Sequence, residues 1–176
     1  MNSDPVDLLV KLIKCKSVTP NDDGALAVIE NILKKNNFKS QRLTFGTGQD
    51  KVENLFLRLG SKRPHLCFAG HTDVVPAGDY NLWEHSPFGG DIKGNKIFGR
   101  GAVDMKGAIA SFASAVINWI KDNKKFTGSI SFLLQYNSPR ILFRSFRTAR
   151  SGRAKLGMRM LAAMNFDRDV HIFCML

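Results

Sequence analysis

"PHLCFAGHTDVVPAGD", Pro64 to Asp79, sets a short apolar run against an abrupt polar turn. The run "PHLCFAG" has the length and composition of a central strand covered on both faces. His71 and Asp73 follow directly at its end. In open α/β sheets, ligands gather beyond the carboxyl ends of the strands, so this turn is where chemistry is expected. Two positions apart in extended chain, His71 and Asp73 point to the same side. An imidazole nitrogen suits zinc or cobalt, and the other ring nitrogen usually takes a carboxylate or carbonyl that fixes the tautomer. The same pair would also make an ordinary hydrogen-bonded turn in water, and this stretch alone leaves both readings open.

Working outward, Asp4 is placed to cap a first helix, with Pro5 at its first position and Asp7 in its first turn. Leu8, Leu9, Leu12 and Ile13 form its apolar face, which runs out before "SVTPNDDG". A second helix is expected from about Ala25 to Lys35, with Leu26, Ile29, Ile32 and Leu33 inward. "SQRLTF" and "VENLFLRLG" alternate as half-buried strands do. In "DIKGNKIFGRG" the pair Gly94-Asn95 between Ile92 and Ile97 predicts a hairpin. From Met105 to about Lys121, Ile109, Phe112, Ala113, Val116, Ile117 and Ile120 recur at helical steps, and "TGSISFLL" then reads as a buried strand. Strands alternating with helices predict an α/β layered domain with a mostly parallel central sheet flanked by helices. Cys67 lies within the apolar run and is read as a core residue.

A second chemical feature is "FGRGAVDMKGAIASF". Asp104 falls where a loop with Gly99, Gly101 and Gly107 enters the long helix. A carboxylate there could simply cap the helix. It could also bridge two divalent ions.

"GHTDVVPAGD", then "W-x3-PFGGDI" (Trp83, Pro87, Phe88), then "GRGAVDMKGAIASF", in that order, resemble the metal-binding half of the co-catalytic dizinc amidohydrolase and peptidase family, most of all its desuccinylase branch. The resemblance covers about residues 1–134. It implies that His71 ligates one metal ion, that Asp104 bridges two zinc or cobalt ions, and that Asp73 is the catalytic-site carboxylate that orients His71. It implies hydrolysis of the amide bond of N-succinyl-L,L-diaminopimelate to succinate and L,L-diaminopimelate. Another deacylase or peptidase of the family, of the acetylornithine deacetylase kind, is the alternative. The partners it implies are a small N-acyl amino acid and, in the intact family, a second copy of the chain.

The pattern then breaks. The family continues after "GSISFLL" with two adjacent glutamates, one a general base and one a ligand, whereas here no acid occurs between Asp122 and Asp167. The family's dimerising domain and far C-terminal histidine have no counterpart. The chain is therefore expected to be a truncated hydrolase with little activity, and its metal binding is in doubt.

Net charge is +11, and residues 135–176 hold 8 basic and 2 acidic residues, which gives +6 of it. Arg replaces Lys as the common cation in the same region. The coincidence with the broken motif points to a frameshift near codon 134, with 135–176 read as a basic tail unlike the family. "SPRILFRSFRTARSGRAK" interleaves Phe with Arg and could meet RNA or an anionic membrane, which would make the chain a non-catalytic binding fragment. A solvated, non-functional tail is the preferred reading. His171 and Cys174 lack a second ligand pair and are not counted as a zinc site. Three scattered cysteines, no apolar membrane-length run and no signal segment at the N-terminus predict a cytoplasmic protein.

Overall fold

A computed structural model describes residues 3–45, 52–136 and 170–174. Helix α1 (Pro5–Lys14) starts as expected: the Asp4 carboxylate accepts the Val6 N–H at 2.8 Å, and Pro5 opens the first turn. Helix α2 (Ala25–Lys34) follows. Strands β1 (Lys39–Phe45), β2 (Val52–Gly60) and β3 (His65–His71) come next, then the hairpin of β4 (Asp91–Lys93) and β5 (Lys96–Phe98). Gly94 turns that hairpin at a φ of +55°, a value glycine adopts freely. Helix α3 (Gly107–Asp122), strand β6 (Ser129–Tyr136) and strand β7 (Val170–Cys174) complete the order.

The main sheet runs β1-β2-β6-β3-β7. Among its first four strands, β1–β2 and β2–β6 are antiparallel and only β6–β3 is parallel. This corrects the expectation of a mostly parallel sheet. Strand β7 adds a parallel pairing with β3 at the far edge.

The connections explain the difference. Parallel neighbours need a crossover of a dozen or more residues, and the segment between β3 and β6 that contains α3 supplies one. Helices α1 and α2 come one after the other before any strand, so they cross nothing over. The link from Phe45 to Val52 is too short for a crossover, so β1 and β2 pair antiparallel. From Gly60 to His65 the chain can step over one strand, a distance of about 10 Å, but it cannot run back along the sheet. Strand β3 therefore opposes β2, and β6 fits between them.

The three helices and one sheet face share a core. Leu8 and Leu12 of α1, Leu26 and Ile29 of α2, and Ile109 and Ala113 of α3 meet Leu55, Leu57, Phe68 and Phe132. Phe68 stacks on Phe112 at 4.7 Å, and Phe132 meets both Phe38 and Phe112 edge-on. Ser129 through Gln135 are all buried, so β6 is covered on both faces. Cys67 is fully buried in β3, as expected of a core residue. The expectations for the basic tail over 137–169 lie outside the described residues, and His171 and Cys174 fall within β7.

His65 is buried at the start of β3, with Nε2 2.8 Å from the Ser131 hydroxyl. Burial, helped by the Arg58 charge, pushes its pKa down to about 4 from the ordinary 6.5. Below the ordinary value the unfolded chain therefore binds the proton that the folded chain refuses. The stability linked to His65 is complete above about pH 6.5 and falls by up to about 3 kcal/mol as pH drops towards 4. Urea unfolding of the wild type and His65→Gln between pH 7.5 and 4 checks this. The wild type should lose more stability than the variant across the window, and parallel losses would exclude His65 as the source.

Candidate metal centre

His71 is the last residue of β3, and the chain beyond it is held by a neighbouring segment. Ser17 Oγ donates to the Thr72 carbonyl at 2.7 Å, Val74 N–H to the Ser17 carbonyl at 2.8 Å, and Thr19 N–H to the Val74 carbonyl at 3.3 Å. This short parallel contact brings Thr19 beside Asp73, and its hydroxyl donates to Asp73 Oδ2 at 2.7 Å. The other carboxylate oxygen of Asp73 is buried with no hydrogen-bond partner and lies 3.6 Å from His71 Nδ1. His71 Nδ1 is also 3.0 Å from the Asp73 carbonyl. The carbonyl acceptor at Nδ1, with the carboxylate charge close by, favours the proton on that nitrogen and leaves the Nε2 lone pair facing outward.

The electrostatics follow from these contacts. The His71 pKa is raised, chiefly by its contact with the Asp73 side chain, while burial pulls the other way. Burial would raise the pKa of Asp73, but its contacts with His71 and Thr19 outweigh that and hold it below the usual carboxylate value.

Asp104 faces His71 from the other side, with Oδ1 3.3 Å from Nε2. It does not cap the helix. Asp104 and Met105 have non-helical backbones (φ −120° and −133°), α3 begins only at Gly107, and the Asp104 side chain is 84% exposed. The helix therefore starts two residues later than the apolar spacing predicts, and the carboxylate is turned into a cleft of about 550 Å³ lined also by His71 and Asp73.

Close backbone approaches place this turn. Gly101 has a φ of +83°, and a Cβ there would lie 2.5 Å from Val74 Cγ1. A Cβ on Gly70 would meet the Met105 methyl at 2.7 Å. Met105 thus packs directly on β3, and the His71 N–H points at its sulfur at 3.4 Å.

Lys106 fixes the turn from below. It is fully buried, and its ammonium donates to the Leu12 and Cys15 carbonyls, both at 2.8 Å, at the end of α1. Burial lowers its pKa to about 8, against the acidic groups nearby that pull it back up. The sequence reading missed both Lys106 and Thr19. Lys106 had one visible signal, a cation on the same helical face as Ile109, Ala110 and Ala113.

The structure thus brings together all three residues expected at the site: His71, Asp73 and Asp104. Among the described residues, no group of three or more His, Cys, Asp or Glu side chains is gathered so as to hold a metal ion. His71 Nε2 and Asp104 fit one side of such a site, since a catalytic zinc takes three protein ligands.

Residues 67–137 match the model of peptidase family M20/M25/M40. The chain is 50% identical over 132 residues to succinyl-diaminopimelate desuccinylase of Parvibaculum lavamentivorans, which covers 74% of this chain and 33% of that protein. It is 42% identical over 169 residues to the protein of the same name from Rickettsia canadensis, covering 95% of this chain and 41% of that one. The longer alignment necessarily reaches into residues 135–176. The chain spans about a third of the length of the first of these relatives. Human carnosine dipeptidase 1 is similar in structure, with a TM-score of 0.69 at 21% identity over 96% of this chain and 37% of that chain. The dipeptidase Dug1p of Saccharomyces cerevisiae gives 0.66 at 19% identity over 86% of this chain and 36% of that one. At such identities the likeness concerns the fold.

Because Lys106 satisfies the end of α1 and carries the Asp104 turn, Lys106→Met should lower stability by about 2–4 kcal/mol. The shift of the urea midpoint measures it, and an unchanged midpoint would show that the clamp contributes nothing.

Proposed function

From the desuccinylase-like segment of the M20 peptidase family that this chain carries, we propose the metal-facing part of an amidohydrolase for amino-acid-derived substrates. The specific bond is the amide of N-succinyl-L,L-diaminopimelate. The observation that carries this reading is the approach of His71 Nε2 to Asp104, with Asp73 behind the ring. His71 and Asp104 would hold the metal, and imidazole with carboxylate suits zinc or cobalt. When bound, such ions polarise the amide carbonyl and acidify water.

The chain's own residues do the positioning. The Asp73 carbonyl, with the carboxylate charge beside it, keeps a proton on Nδ1, so Nε2 presents its lone pair. Thr19 locks the Asp73 carboxylate, and Lys106 and Met105 hold the turn that aims Asp104 at the same point. Among the described residues no acid other than Asp73 and Asp104 lines the cleft, and no Asp or Glu occurs between residues 122 and 167. The sparse cysteines support a cytoplasmic setting. Among the described residues, no helix is long and apolar enough to cross a membrane.

Titration with cobalt(II), followed by visible absorption, tests the site. Binding should weaken by more than about tenfold in both His71→Ala and Asp104→Ala, and by about 10–100-fold in Asp73→Asn. Equal cobalt affinity in all variants would rule the reading out. Succinate release from N-succinyl-L,L-diaminopimelate tests the missing base. Turnover should fall at least about 10²-fold below that of a full-length relative, and equal turnover would mean that another group supplies the base.

A further inference from the structure

We propose that Arg100 is a specificity-determining residue of the cleft, selecting substrates that carry a carboxylate at the end of an aliphatic chain beyond the reacting amide. The inference rests on the amidohydrolase reading above and adds to it the residue that recognises the anionic end of the acyl group.

Arg100 lines the same cleft as His71 and Asp104. Its guanidinium lies 5.0 Å from the centre of the Trp83 ring. Nη2 donates to the Ala77 carbonyl at 3.4 Å, and Trp83 Nε1 donates to that same carbonyl at 3.0 Å. The Arg100 N–H in turn donates to the Pro87 carbonyl. Ring, carbonyl and backbone hold the cation in place before any ligand arrives, which reduces the ordering cost of binding.

The fold leaves that cation incompletely matched. Among the described residues no carboxylate forms an ion pair with Arg100, and its buried Nε has no acceptor. A planar guanidinium on an aromatic face with N–H groups to spare is suited to a carboxylate, which it can engage through paired hydrogen bonds. Among the described residues, Asp73 and Asp104 are the acids lining the cleft, and Arg100 is its one permanently charged cation. Once cations occupy the acidic side, the guanidinium provides the positive end of the cleft.

The apolar part of the lining suits an aliphatic chain. Val75 is 66% exposed and Val103 is 93% exposed, and with Pro76 they form an apolar lip beside the charged floor. An acyl group with an aliphatic body and an anionic end covers the lip and meets Arg100. A neutral acyl group covers the lip alone and leaves the guanidinium without its partner.

The probe is succinate, compared with its neutral counterpart succinamide, titrated into the full ¹⁵N-labelled chain with chelator present throughout. Succinate should shift the Arg100 Nε–H and Trp83 Nε1–H resonances saturably, and succinamide should need at least about tenfold higher concentration. Arg100→Met with a dispersed spectrum should lose the response, and Arg100→Lys should keep a weaker one. The proposal is overturned if succinate leaves both resonances unmoved, if succinamide moves them equally, or if folded Arg100→Met still binds succinate as the wild type does. If Arg100→Met does not fold, the wild-type comparison of the two probes decides. A staple of the 74–79 loop with no ligand role would show no preference for the charged probe. Chelation separates this result from the cobalt titration, so a failure of the Arg100 inference and a failure of the amidohydrolase reading are told apart.

Discussion

A lysine ammonium with no access to water holds the two halves of the site together. Lys106 is buried to completion, and its charge is met by the last carbonyls of α1. Those carbonyls lie at the negative end of the helix dipole, and the Leu12 carbonyl also accepts the Cys15 N–H at 3.2 Å. One contact thus satisfies the helix end, neutralises part of a costly buried charge, and fixes the turn two residues after Asp104. Without it the turn that carries the carboxylate would be aimed at His71 only by the packing of Met105 on Gly70 and of Gly101 on Val74.

The two sides of the site are built by different means. His71 and Asp73 are placed by strand geometry: the chain leaves β3 extended, and side chains two apart meet on one side. Asp104 is placed by tertiary packing, through Met105 against Gly70 and the close passage of Gly101 by Val74. Thr19 completes the first side from a third part of the chain, because the short parallel contact of Val18 with Val74 brings it there. The loop of Val74–Asp79 is held at Ala77, where Trp83 and Arg100 meet on one carbonyl. The motifs that stood apart in sequence are in this sense one assembly.

Much of the fold was legible because its signals are local. The Asp4–Pro5 helix start, strand β2 and the Gly94 turn each depend on neighbouring residues and formed where expected, although β2 is buried on both faces from Asn54 to Leu57 rather than half-buried. The error in sheet direction came from treating every helix as a crossover. Among the described helices only α3 lies in one, between β3 and β6, while the short links around β2 force antiparallel pairing. The helix start at Gly107 was also misplaced, since apolar spacing cannot show that Asp104 and Met105 leave helical geometry.

By itself, the sequence determined the elements, the strand-end position of His71 and Asp73, and the ordered motifs that mark the M20 family. Those rest on periodicity and on residues adjacent in the chain. Only the tertiary structure decided that Asp104 turns away from its helix towards His71, that Thr19 secures Asp73, and that Lys106 is a buried clamp. Each of these depends on contacts between residues tens of positions apart, and no local spacing encodes which carbonyl a lysine will reach.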